Sequence, residues 1–147
     1  MSQAPEASMD FRSMARDVAV RFLYQCESTR ISYYAANHFK GFVSNIGISG
    51  PVAVQADQLA KGTLDRLSEL DVMIQEASPN WKVSRMAMTD RCVLRMALNE
   101  LLEGQTPPKV ILNEAIELAK RYGTEHSGSF VNGVLDALMK RVKSAAS

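Results

Sequence analysis

Two histidines, two cysteines and one run of small polar residues are where chemistry could sit in this 147-residue chain. His38 and His126 each lack a second His, Cys or carboxylate at a helical ligand spacing, so neither founds a metal site. Cys26 and Cys92 fall at apolar-facing positions of predicted helices and read as buried free thiols in a reducing cytoplasm. Gly123-Thr124-Glu125-His126-Ser127-Gly128-Ser129 lacks the lysine and spacing of a phosphate-binding loop, and a helix–helix turn is its plainer reading. No dinucleotide-binding glycine pattern and no nucleophile elbow occurs. Glu114 and Glu117 belong to a predicted solvent face. The pattern speaks against an enzyme and calls for no cofactor and no metal.

Binding is the better prospect. Arg12 and Arg16 are i, i+4 neighbours on one helix face and could grip successive phosphates. The rings of Tyr24, Tyr122 and Phe130 could stack the bases of a single strand. A competing arrangement pairs Arg16 and Arg21 with Asp17 and puts the tyrosines in the core, leaving an all-α protein-interaction module. Net charge is only +1 and the isoelectric point about 7.8, so any nucleic-acid surface is local and modest in affinity. Its charge would come from Arg12, Arg16 and Arg21, and from Lys140, Arg141 and Lys143, after which no acid follows Asp136.

The elements that must hold these residues are helical throughout. Asp10 can cap a first helix over roughly 10 to 27, whose face is Phe11, Met14, Ala15, Val18, Phe22 and Cys26. Tyr33 to Val43 is a second, aromatic-rich helix, and the turn-forming stretch 44–51 is a loop. Ala56, Leu59, Ala60, Thr63, Leu64, Leu67, Leu70 and Ile74 predict one long helix over 53–76. Ser78-Pro79-Asn80 then breaks the chain and divides a subdomain of about 10–78 from one of 81–143. A short helical turn spans Ser84 to Met88. Asp90 caps a helix carrying Leu94, Ala97, Leu98 and Leu101, which Gly104 and Pro107-Pro108 end.

Ile111, Ala115, Leu118, Ala119 and Tyr122 line the next helix, with Lys120 and Arg121 at the negative end of its dipole. Gly123 stands where a left-handed residue would end it. Thr124 can cap a last helix faced by Val131, Val134, Leu135 and Leu138. Nothing alternates with period two. The expectation is an all-α fold of six or seven helices in two small packed helical subdomains. Residues 1–9 read as a disordered tail without the apolar stretch of a signal peptide, and 144–147 as a second tail. No apolar run approaches the roughly 20 residues needed to span a bilayer.

Four segments carry a further signal. Ala15-Arg16-Asp17-Val18-Ala19-Val20-Arg21-Phe22-Leu23-Tyr24-Gln25, Asp90-Arg91-Cys92-Val93-Leu94-Arg95-Met96-Ala97-Leu98-Asn99-Glu100-Leu101, Pro108-Lys109-Val110-Ile111-Leu112-Asn113-Glu114-Ala115 and Phe130-Val131-Asn132-Gly133-Val134-Leu135-Asp136 resemble, in order, motifs of the NusB family of bacterial transcription antitermination factors. Residues 30–80 match only in helical pattern. The resemblance implies two helical subdomains and a partner, NusE, which is a small-subunit ribosomal protein. It implies that the pair binds single-stranded boxA-type RNA of nascent ribosomal transcripts and joins RNA polymerase with NusA and NusG to suppress premature termination.

Carried over residue by residue, the RNA face is Arg12, Arg16, Tyr24, Tyr122 and Phe130, and the partner face is Thr89, Asp90 and their neighbours. Two departures stand out. Ser13 and Met14 occupy places where many relatives carry arginines, and His126 stands where an Asp is common. The first removes phosphate contacts and the second removes a repelling charge. The alternatives are a free-standing all-α RNA-binding or homodimeric module, related to the N-terminal domain of rRNA cytosine methyltransferases. Such an enzyme needs a further catalytic domain with a cysteine nucleophile, which these 147 residues do not include.

Overall fold

The computed structural model describes residues 10–146. Among them lie seven α-helices and no strand: α1 (Phe11–Ser28), α2 (Ala36–Asn45), α3 (Gly50–Asp65), α4 (Leu67–Ala77), α5 (Met88–Glu103), α6 (Pro108–Tyr122) and α7 (Ser127–Ala146). A single 3₁₀ turn, Val83–Arg85, precedes α5. The expected all-α class is what the structure has. Residues 1–9, expected as a tail, lie outside the described residues, and α7 runs through the expected tail as far as Ala146. No described helix is long and apolar enough to cross a membrane.

The chain forms two compact units that meet in sequence at Asp65 and Arg66. In the first, α1 packs along α3 and more lightly on α2. Asp10 caps α1 as expected, its carboxylate accepting from the Ser13 amide at 2.8 Å. Ala15, Val18, Ala19, Phe22 and Cys26 are buried together with Phe39, Val43, Ala56, Leu59, Ala60 and Leu64. The Phe22 ring meets His38, Phe39 and Phe42 at centroid distances of 4.9, 5.0 and 5.4 Å. Burial pushes the Cys26 thiol up to about 11, so it stays protonated and unreactive.

The aromatic-rich helix starts at Ala36 rather than at Tyr33. Tyr34 instead donates its hydroxyl to the Asp57 carboxylate on α3, which holds the approach to α2 extended at Ala35. A second correction concerns the long helix expected over 53–76. It is two helices, interrupted at Arg66 with φ −123° and ψ 28°. The apolar stripe runs on through the break, but α3 packs on α1 whereas α4 packs on α5 and α7. No glycine or proline marks that change of partner. The turn at Ser78-Pro79-Asn80 therefore lies inside the second unit, following α4.

In the second unit α5 is central, packing on α4, α6 and α7, and every residue from Cys92 to Leu101 is buried. Polar residues on this helix need internal partners. Arg95 finds one in Asp71 of α4, with Nε and Nη2 each 2.7 Å from a carboxylate oxygen. Gly104 ends α5 in the left-handed conformation at φ 71°, and Pro108 opens α6 at its first position. The predicted faces of α6 and α7 are buried at Ile111, Ala115, Leu118, Ala119, Val131, Val134, Leu135 and Leu138.

Gly123 ends α6 in an extended conformation, φ −96° and ψ −156°, and not in the left-handed one expected of it. Its lack of a side chain serves a close approach instead. A Cβ there would stand 2.6 Å from the Ala119 carbonyl oxygen and 2.6 Å from Ser127 Cβ. Beyond it Thr124 forms the expected cap as one half of a reciprocal pair. Its Oγ1 accepts from the His126 amide at 3.3 Å, and Ser127 Oγ accepts from the Thr124 amide at 2.9 Å.

Candidate nucleic-acid interface

On α1 the two arginines expected to grip phosphates differ in accessibility. Arg12 is exposed, its guanidinium 5.9 Å from the centroid of the Phe11 ring. Arg16 is only 5% exposed and is engaged within the fold. Helical spacing placed both on one side of α1 but carried no information on how deep that side lies. Arg21 turns to Asp17, 3.9 Å away and fully buried, as the competing arrangement has it. Tyr24 is half-buried and leaves part of its ring accessible.

In the second unit Tyr122 is half-buried at the end of α6, with the Arg121 guanidinium 5.9 Å from its ring centroid. Phe130 lies in the first turn of α7, also half-buried. Its ring meets that of Trp81 edge to face at 5.9 Å and 82°. Trp81 is 60% exposed, so a large ring surface is open to stacking. Sequence reasoning did not single it out. The signal was there as the chain's one tryptophan, placed directly after a Ser-Pro-Asn turn.

A polar scaffold fixes the segment that carries this ring. Gln75 of α4 donates from Nε2 to the Trp81 carbonyl at 2.9 Å, and its Oε1 accepts from the Val83 amide at 3.0 Å. Arg91 of α5 donates to the Val83, Ser84 and Met86 carbonyls at 3.2, 3.3 and 2.8 Å, gathering the 3₁₀ turn under one guanidinium. A loop of this length would otherwise be mobile; here its backbone is tied to two helices.

The result is a cleft of about 720 Å³ lined by Trp81, Lys82, Arg85, Asp90, His126 and Phe130, among others. Lys82 and Arg85 are exposed and make no ion pair among the described residues. His126 is exposed and sits 3.3 Å from the Glu125 carboxylate. Asp90 does not cap α5, whose cap residue is Ala87 with no side-chain bond. It lies in the first turn, favourably placed for the helix dipole, and is only 7% exposed. Its Oδ1 is buried with no hydrogen-bond partner. Thr89 beside it is half-buried, so the pair expected to face a partner protein is set back from the surface. Among the described residues no group of His, Cys, Asp or Glu could hold a metal ion.

A family model, that of the NusB family, matches residues 13–140. The chain is 42% identical over 127 residues to the transcription antitermination protein NusB of Anaeromyxobacter dehalogenans, covering 85% of this chain and 87% of that protein. The fold matches T. maritima NusB with a TM-score of 0.77 and 34% identity, covering 88% of this chain and 90% of that one. It also matches, with a TM-score of 0.80 and 27% identity over 90% of this chain and 98% of the other, a crystal structure of antitermination factors NusB and NusE in complex with dsRNA.

Proposed function

The chain belongs to the NusB family, and on that footing we propose that it is a transcription antitermination factor that binds RNA together with a NusE partner. The RNA is single-stranded and boxA-like, carried by nascent ribosomal transcripts, and the assembly joins RNA polymerase with NusA and NusG. The protein acts by binding and performs no catalytic step.

The observation that carries this reading is the cleft of the second unit. An exposed tryptophan held against Phe130, beside two cations that no carboxylate neutralises, suits a strand whose bases stack and whose phosphates are gripped. Bases reach such rings only when unpaired, which favours a single strand over a duplex. Within the second unit Tyr122 and Phe130 are the proposed contacts; within the first, taken by itself, they are Arg12 and Tyr24. Arg16 supports α1 from within rather than touching a phosphate. The relative solved with NusE and dsRNA adds the partner to the proposal.

Salt dependence tests the electrostatic part. Each phosphate contact contributes about −0.7 to the slope of log K against log salt for a single strand. Arg12→Ala is expected to make that slope shallower by roughly one contact, whereas Arg16→Ala, being buried, is expected to lower stability instead. Fluorescence anisotropy of a labelled boxA-type oligonucleotide from 50 to 200 mM salt, a range over which such contacts are known to weaken strongly, measures it. An affinity that does not change with salt removes the proposed phosphate contacts.

A further inference from the structure

Gln75 commits both ends of its side-chain amide to the loop that carries Trp81. It stands half-buried in the last turn of α4. Its Nε2 donates to the Trp81 carbonyl at 2.9 Å and to the Ser78 carbonyl at 3.3 Å, and its Oε1 accepts from the Val83 amide at 3.0 Å. One carboxamide therefore joins three backbone groups, before, at and after the tryptophan. Only one orientation of the amide serves them, because the two carbonyls can only accept and the Val83 N–H can only donate.

The end of α4 is held by other groups. Leu70 and Ile74 are fully buried. Ser78 Oγ donates to the Ile74 carbonyl at 2.6 Å, and Arg141 of α7 donates to the Glu76 carbonyl at 2.9 Å. The Gln75 amide serves the loop rather than the helix. Resting on the RNA-binding reading above, we infer that Gln75 is a positioning residue for RNA, which acts through Trp81 by fixing the ring before the strand arrives.

A ring on a free loop must be ordered at the moment a base stacks on it, and that ordering is subtracted from affinity. A ring already held in place avoids the loss. Trp81 keeps 60% of its surface open, while its edge-to-face contact with Phe130 and the bond from Gln75 to its carbonyl set where that surface looks. Methionine matches glutamine in length and in helix propensity but offers no amide, so Gln75→Met releases all three bonds without adding charge.

A double-mutant cycle tests the role. Affinity for a labelled boxA-type RNA, with NusE present, is measured for the unsubstituted chain, Gln75→Met, Trp81→Ala and the two together. Gln75→Met is expected to bind about 3- to 10-fold more weakly, the range for ordering one side chain on binding, with the salt slope unchanged. In the Trp81→Ala background the same substitution is expected to change affinity by less than about twofold, since no ring is left to position. The chain's one tryptophan adds a spectroscopic reading. Gln75→Met is expected to shift Trp81 emission to the red as the ring leaves Phe130 for solvent, with helix content by circular dichroism retained. In the free unsubstituted protein the time-resolved anisotropy of Trp81 is expected to decay with overall tumbling and without a faster nanosecond component.

Equal losses in the two backgrounds, the mark of a role confined to stability, would overturn the positioning role and leave RNA binding standing. Loss in neither background would do the same. Failure of the unsubstituted chain to bind RNA with NusE present would remove both. The anisotropy decay needs no substitution, and a large fast component would overturn the role even if the Gln75 variant folds poorly.

Discussion

Replacing Gly123 by alanine is expected to destabilise the second unit by about 1–3 kcal/mol, the usual cost of forcing atoms into filled space. The sign is not obvious in advance. An alanine in an extended conformation restricts the unfolded chain and would ordinarily stabilise by roughly 0.4–1 kcal/mol. Here the new Cβ would meet Ser127 Oγ at 2.3 Å, Ser127 Cβ at 2.6 Å and the Ala119 carbonyl oxygen at 2.6 Å. The hydroxyl can rotate away, but the other two belong to a buried side-chain stem and to the backbone of α6. Either the α6–α7 junction opens or the reciprocal Thr124–Ser127 cap breaks. Thermal unfolding should show a midpoint lowered by about 3–10 °C for a chain of this size. Ser127→Gly in the same background should recover part of the loss but not all, because the carbonyl contact remains. An unchanged midpoint would mean that the junction has slack the structure does not have.

Phe130→Ala is expected to weaken RNA binding by roughly 5- to 150-fold, the equivalent of about 1–3 kcal/mol of base stacking. Phe130 both offers a face to the strand and backs the ring of Trp81, so its loss removes one stacking platform and loosens a second. It carries no charge, so the salt slope should stay as in the unsubstituted protein, in contrast to Arg12→Ala. The residue is half-buried and lies in the first turn of α7, and circular dichroism should show helix content retained. RNA affinity within twofold of the unsubstituted protein, with the fold intact, would place the stacking surface elsewhere than at this cleft.

What could be read from the residues alone follows a physical divide. Local signals came through: Asp10 as a cap, Gly104 as the stop of α5, and the spacing of the apolar faces of α6 and α7. Each can be read within a single helix and its ends. Properties fixed by the tertiary neighbour did not come through. The stripe from Ala56 to Ile74 is periodic without interruption, yet it faces two different cores and bends at Arg66. Arg12 and Arg16 share a helix side, but only packing decides that one is exposed and the other buried.

The same holds for the candidate site. Phe130 could be named from the motif that contains it, while its partner Trp81 lies on a loop whose position depends on Gln75 and Arg91 reaching across from two helices. Gly123 was recognised as a helix stop for a reason that is not its actual one: the demand is for space beside Ser127, and no reading of a single segment could supply that neighbour's position.

The central claim is that this chain and NusE bind RNA as one composite surface, which linkage turns into a number. A net charge of +1 provides little general attraction for RNA, so a second protein must extend the contacts along the strand. Whatever factor NusE adds to RNA affinity, RNA must add to NusE affinity. The direct measurement is fluorescence anisotropy of a labelled boxA-type RNA titrated with this chain at several fixed NusE concentrations. The account predicts an RNA affinity that rises with NusE to a plateau, by about 5- to 150-fold as such couplings run. One RNA affinity at every NusE concentration would contradict it.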